Sequence, residues 1–207
     1  MRVKLCGLTS EEQVELAIGS GADAIGLNLV PTSPRRIDLD GARRLASAAA
    51  GRALVVVVIA DPAPRALTEL LAEPLFDRVQ LHGHEALDTL APRGVDRGRL
   101  WKAVRLRQPS DVDAAAALSV DALVVDAASH QALGGTGETA DWALAHELGA
   151  RRPIWLAGGL RPDNVALAIA AVRPFGVDVA SGVERAPGIK DPEKVAAFVR
   201  AAKGQVH

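Results

Sequence analysis

Cys6 and Asp126 are the residues of this chain whose types and placement could move protons. Cys6 is the only cysteine in 207 residues and closes a short apolar run, VKLCGL, against Gly7. Most free cysteines are small buried hydrophobes. A thiol at the mouth of a pocket is different: with an ordinary pKa of about 8.5, it becomes a base once a cation favours the thiolate. Lys4 lies two residues earlier, on the same face of an extended strand, and could be that cation or a structural charge deeper in the fold. Asp126 sits in a second apolar run, ALVVDA. A carboxyl enclosed in a pocket has its pKa raised and can serve as an acid. One base and one acid flanking a substrate point to proton transfers, as in an isomerisation.

The elements that must position them follow a regular alternation. Eight short apolar runs occupy residues 3–8, 24–30, 54–60, 78–83, 100–106, 122–127, 154–160 and 177–183, with helical segments between and after them. Those helices are expected to begin at Ser10-Glu11-Glu12 and near Asp38, Pro64, Glu85, Asp111, Thr139, Pro162 and Asp191. Ser10 has the chemistry of an N-cap, with acids in the first turn. VVVVI and ALVVDA show no alternation, as expected of parallel strands covered on both faces. Strands alternating with helices imply parallel pairing and right-handed crossovers. Eight such units, roughly 26 residues each and above the dozen or so a crossover needs, favour closure over an open sheet. The expected fold is α/β, a single (β/α)8 TIM barrel forming one catalytic domain over residues 1–207.

Composition narrows the partners. The chain carries 24 basic and 25 acidic residues, a formal net charge of -1, without a long basic run. That is no footprint for nucleic acid or an anionic membrane, so the expected partner is a small molecule. The longest apolar run, ALVVVVIA at residues 53–60, is far short of the roughly 20 residues a bilayer span needs. A single cysteine forms no internal disulfide, and no secretory leader pattern opens the sequence. A soluble cytoplasmic protein is expected.

In such barrels the site lies at the C-terminal ends of the strands. Three glycine-rich segments fall there: GGTG at 134–137, AGGL at 157–160 and ASGVE at 180–184. Glycines let backbone N–H groups approach an anion, and these barrels often hold phosphate in the loops after strands 7 and 8. Gly158, Gly159, Ser181 and Gly182 are therefore candidate phosphate ligands. His82, in QLHG, either orients the substrate or caps its strand. Trp101, Trp142 and Trp155 read as packing residues, and Asp178 either faces inward to orient polar groups or makes a structural hydrogen bond.

Taken in order, VKLCGLT, VPTSPRR, VQLHGHE, VVDAAS with GGTGETADW, LAGGLRPDNV and VDVASGVERAPGIKD resemble phosphoribosylanthranilate isomerases of tryptophan biosynthesis. The resemblance spans nearly the whole chain. It implies an Amadori rearrangement of N-(5'-phosphoribosyl)anthranilate without metal or organic cofactor, in a monomer or homodimer. It also implies Asp126 as general acid, Cys6 as general base, and Arg35 as the partner of the anthranilate carboxylate. The sequence departs from the family pattern after strand 2, where GLNLVP replaces an aromatic run, and at Ala180, which replaces a serine. Two alternative readings fit the residues less well. A related isomerase of histidine biosynthesis uses an aspartate where Cys6 stands, and a non-catalytic binding barrel would not need to keep both Cys6 and Asp126.

Overall fold

The computed structural model describes residues 1–87, 96–126 and 137–204, the side chains of 137–141 excepted. Eight parallel strands close into a barrel: β1 (Arg2–Cys6), β2 (Ala24–Asn28), β3 (Leu54–Ile59), β4 (Arg78–Leu81), β5 (Leu100–Val104), β6 (Ala122–Asp126), β7 (Ile154–Ala157) and β8 (Gly176–Val179). They pair in chain order, and β1 meets β8 at the seam, with Lys4 level with Asp178. Around them lie α1 (Glu11–Gly19), α2 (Leu39–Ala49), α3 (Pro64–Ala72), α4 (Pro109–Ala116), α5 (Gly137–Arg151), α6 (Val165–Val172) and α7 (Pro192–Lys203). The helix expected near Glu85 falls largely outside the described residues, as do most of the GGTG segment and Thr136. No helix among the described residues is long and apolar enough to cross a membrane.

Local chemistry starts these helices where expected. Ser10 Oγ accepts from Gln13 N at 3.3 Å, Asp38 Oδ1 from Gly41 N at 2.7 Å, and Asp191 Oδ1 from Glu193 N at 3.0 Å. The largest shift is at α6, which begins at Val165, because Asn164 Oδ1 accepts from Arg161 N at 2.7 Å and holds 161–164 as a turn.

Strand alternation divides the core in two. Outward residues such as Leu5, Val57, Leu123 and Leu156 are buried beneath the helices. Inward ones, Ala24, Val56, Trp101, Ala122, Val124 and Trp155, fill the lower barrel, where the two tryptophan rings stack at 5.0 Å between centroids. The tryptophans are thus packing residues. The strands stop earlier than their apolar runs. The last shows the largest difference: β8 ends at Val179, a short 3-10 turn covers Ser181–Val183, and an antiparallel hairpin follows, β9 (Glu184–Ala186) with β10 (Ile189–Lys190). Gly188 closes it, with φ of 77°.

Candidate active site

A cavity of about 330 Å³ opens among the C-terminal ends of the strands. Cys6 and Asp126 both line it, three strands apart around the ring, and so do Arg35 and His82. Gly158 and Gly159 enter from the loop after β7, and Ser181 and Gly182 from the loop after β8. The fold thus gathers every candidate residue into one concavity. The two glycine loops touch tightly: a Cβ on Gly182 would lie 1.8 Å from Leu160 O, so only glycine fits there. Below, a Cβ on Gly26 would lie 2.6 Å from the Cys6 sulfur, so the neighbouring strand is bare where the thiol turns inward.

The electrostatics around the thiol oppose one another. Burial pushes the Cys6 thiol above its ordinary value, while Lys4 and Lys190 draw it down and Asp178 pushes it up; the net shift is upward. Lys4 is fully buried, and its Nζ donates to Asp178 Oδ2 at 2.8 Å. Burial alone would depress the Lys4 ammonium, but Asp178 and the Cys6 sulfur outweigh it, so it stays charged. Lys4 is therefore both the cation beside the thiol and half of a buried ion pair across the seam.

On the opposite wall, Arg105 Nη2 approaches Asp126 Oδ2 at 3.6 Å. His82 is held below its ordinary range, chiefly by burial and despite Asp126 nearby, so it is neutral at pH 7. Gln80 Nε2 lies 3.3 Å from His82 Nδ1, and the His82 backbone N–H donates to Ile59 O at 2.8 Å. His82 therefore both continues the strand ladder and presents its ring to the cavity. Two buried acceptors, Gln80 Oε1 and Asp178 Oδ1, have no hydrogen-bond partner among the described residues, and both side chains line the cavity. Arg35 makes a bidentate pair with Glu184, Nε to Oε1 at 2.8 Å and Nη2 to Oε2 at 2.6 Å. Asn28 Oδ1 accepts from Val30 N at 2.8 Å, which turns the chain after β2 and leaves Val30 and Val58 as the apolar wall.

Sequence reasoning gave no role to Gln80, Lys190 or Arg105, and placed Glu184 only as a strand end. Gln80 was reachable, because it lies two residues before His82 and shares its face. Pro187-Gly188, flanked by ERA and IK, was a turn signal for the hairpin that carries Glu184 and Lys190. Among the described residues, no group of three or more His, Cys, Asp or Glu side chains could hold a metal ion.

Comparison with known proteins gives the same picture along the full chain. A sequence model of the N-(5'phosphoribosyl)anthranilate (PRA) isomerase family matches residues 3–201. The N-(5'-phosphoribosyl)anthranilate isomerase of Myxococcus xanthus is 44% identical over 208 residues, covering 98% of this chain and 96% of its own. That of Azorhizobium caulinodans is 43% identical over 209 residues, covering 98% and 92%. The crystal structure of phosphoribosyl anthranilate isomerase from Thermotoga maritima superposes with a TM-score of 0.85 at 35% identity, over 99% of each chain. Another, in complex with reduced 1-(o-carboxyphenylamino)-1-deoxyribulose 5-phosphate, gives 0.83 at 33% identity, also over 99% of each. Sequence and fold agree from end to end, and the chain belongs to the phosphoribosylanthranilate isomerase family of tryptophan biosynthesis.

Proposed function

We propose that this cavity converts N-(5'-phosphoribosyl)anthranilate into 1-(o-carboxyphenylamino)-1-deoxyribulose 5-phosphate by general acid–base catalysis. One observation carries the reading: a thiol and a carboxyl from distant parts of the chain line a single cavity rimmed by two touching glycine loops. Asp126 gives its proton to the ribose ring oxygen. The C1'–O bond breaks, and the nitrogen lone pair forms the Schiff base. Cys6 then takes the C2' proton, the C2'–H electrons move toward the nitrogen, and the resulting enolamine tautomerises to the ketone. Product and substrate have the same atoms and the same oxidation state.

Burial favours the neutral thiol in the unliganded cavity. The cationic Schiff base reverses that balance at the moment of need. Its charge acidifies C2'–H and, together with Lys4 and Lys190, stabilises the thiolate once the thiol proton has left to solvent. Backbone N–H groups around Gly158, Gly159, Ser181 and Gly182 hold the phosphate. Arg35 takes the ring carboxylate, as its planar fork suits. Neutral His82 supplies a ring N–H, and the unpartnered acceptors of Gln80 and Asp178 receive ribose hydroxyls. The anthranilate ring rests on Val30 and Val58 where aromatics were expected from the family pattern. The reading needs no metal or organic cofactor. It places a monomer or homodimer in the cytoplasm, acting on a small phosphorylated substrate without nucleic acid.

The test is loss of anthranilate-type fluorescence on mixing the protein with freshly generated phosphoribosylanthranilate. Wild type turns over, while Cys6→Ala and Asp126→Asn lose at least about 10³-fold in kcat and keep their melting transitions. Turnover that survives in Cys6→Ala removes Cys6 as the base. Inactive wild type sinks the function.

A further inference from the structure

The guanidinium of Arg35 is gripped from behind. Glu184 occupies the edge formed by Nε and Nη2, and its own side chain is only 4% exposed. Glu184 is fixed in turn. Lys190 Nζ donates to Glu184 Oε1 at 2.8 Å and to Ala180 O at 2.9 Å, and Lys194 Nζ donates to Glu184 O at 2.8 Å. The hairpin tip is tied to the other side of the mouth, where Thr9 Oγ1 and Gln13 Nε2 each donate to Gly188 O at 2.9 Å. Glu184 does not line the cavity, whereas Arg35 does.

A guanidinium carries five N–H donors and can hold two carboxylates on different edges. With the Nε/Nη2 edge taken, the Nη1/Nη2 edge is left for a second planar anion. One carboxylate set against two cations also leaves the cluster with a net positive charge. We infer that Glu184, pinned by Lys190 to Ala180 of the phosphate loop, is a positioning residue that presents the outer edge of Arg35 to the substrate's carboxylate. The inference rests on the assignment of Arg35 to that carboxylate. It adds a gauge: Lys190 bonds the phosphate loop and the carboxylate clamp at once, so the two anion sites are held at a set separation. Without Glu184 the long Arg35 side chain regains its rotamers, and a misplacement of about 1 Å is enough to lose roughly 10²-fold in a positioned interaction.

The experiment measures dissociation constants of two ligands by fluorescence titration. One is reduced 1-(o-carboxyphenylamino)-1-deoxyribulose 5-phosphate; the other is its counterpart lacking the ring carboxylate. Wild type prefers the carboxylated ligand by about 30-fold, the range of a charge-assisted pair. Glu184→Gln reduces that preference to about threefold while its affinity for the counterpart stays at the wild-type value. Glu184→Asp keeps the buried charge, and hence the fold, but is one methylene too short to span both nitrogens. It gives an intermediate preference and decides the matter should Glu184→Gln not fold. Full wild-type preference in a folded Glu184 variant overturns the inference and leaves the function intact. A wild type that turns over substrate yet does not distinguish the two ligands overturns the Arg35 assignment, and this inference with it.

Discussion

Val124 and Asp126 lie two residues apart on β6 and both face the barrel interior, yet they belong to different worlds. Val124 is fully buried beside Trp155, in the lower barrel where Trp101, Trp155 and Val56 pack together and the Trp101 indole donates to Asp121 Oδ2 at 2.9 Å. Asp126, about 6.6 Å further along the strand, faces a cavity with a thiol, an amide and an imidazole. The same step separates Trp155 from Ala157, and Gly176 from Asp178. Lys4 and Asp178 mark the boundary, where a buried ion pair meets the cavity. The fold does not need the upper layer to be polar; closure and packing are already secured below. Height along the strand, rather than strand identity, decides whether an inward residue packs or reacts.

That division can be broken experimentally. Trp155→Ala removes the centre of the lower layer and lowers unfolding free energy by about 3–5 kcal/mol in denaturant titrations. Its folded fraction keeps kcat/KM within about twofold, as distant sites are independent; a collapse in activity means that the two layers are coupled. Lys4→Met strikes the boundary. It leaves Asp178 buried without its partner and costs about 3 kcal/mol. It also withdraws the cation that favours the Cys6 thiolate. The wild-type kcat/KM rises with pH beyond the ordinary thiol range, and in Lys4→Met that rise moves to still higher pH.

Gln80→Leu sharpens the contrast in the opposite direction. It removes a buried acceptor without a partner, so stability rises by about 1 kcal/mol while kcat/KM falls about tenfold. Equal losses in both would make Gln80 a packing residue. The smallest effect is read by pH. Burial depresses the folded-state pKa of His82 below its ordinary 6.5, so its contribution to stability is present above that value and lost as pH falls through the depressed one. Melting scans show that loss in wild type and a flatter profile in His82→Gln.

The barrel was legible because the strands announce themselves locally, through an apolar run and a turn, and several of the helices through a capping side chain. Ser10 and Asp38 are examples in which one side chain sets a boundary. Cys6, Asp126 and the glycine loops were legible for a different reason: strand ends are where such a fold exposes chemistry. What escaped was partnership. Arg35 and Glu184 are 149 positions apart, and nothing near either residue in the sequence names the other. Arg105 falls on the inward face of Trp101 and Ala103 in the run 100–106, but its pairing with Asp126 of the next strand escaped in the same way. The hairpin after β8 had a Pro-Gly signal, but a seven-residue detour from Glu184 to Lys190 reads as loop until its ion pairs are seen.

The seam between β1 and β8 carries a consequence for how the chain is made. Lys4 and Asp178 are separated by 174 positions. At a ribosomal rate of about 5–20 residues per second, roughly 10–35 s pass between synthesis of the first strand and of the last. Throughout that interval the sulfur of Cys6 lacks the wall that later encloses it. Its period of greatest vulnerability to oxidants falls during translation, and a chain stalled late in synthesis is the form in which this thiol is most readily lost.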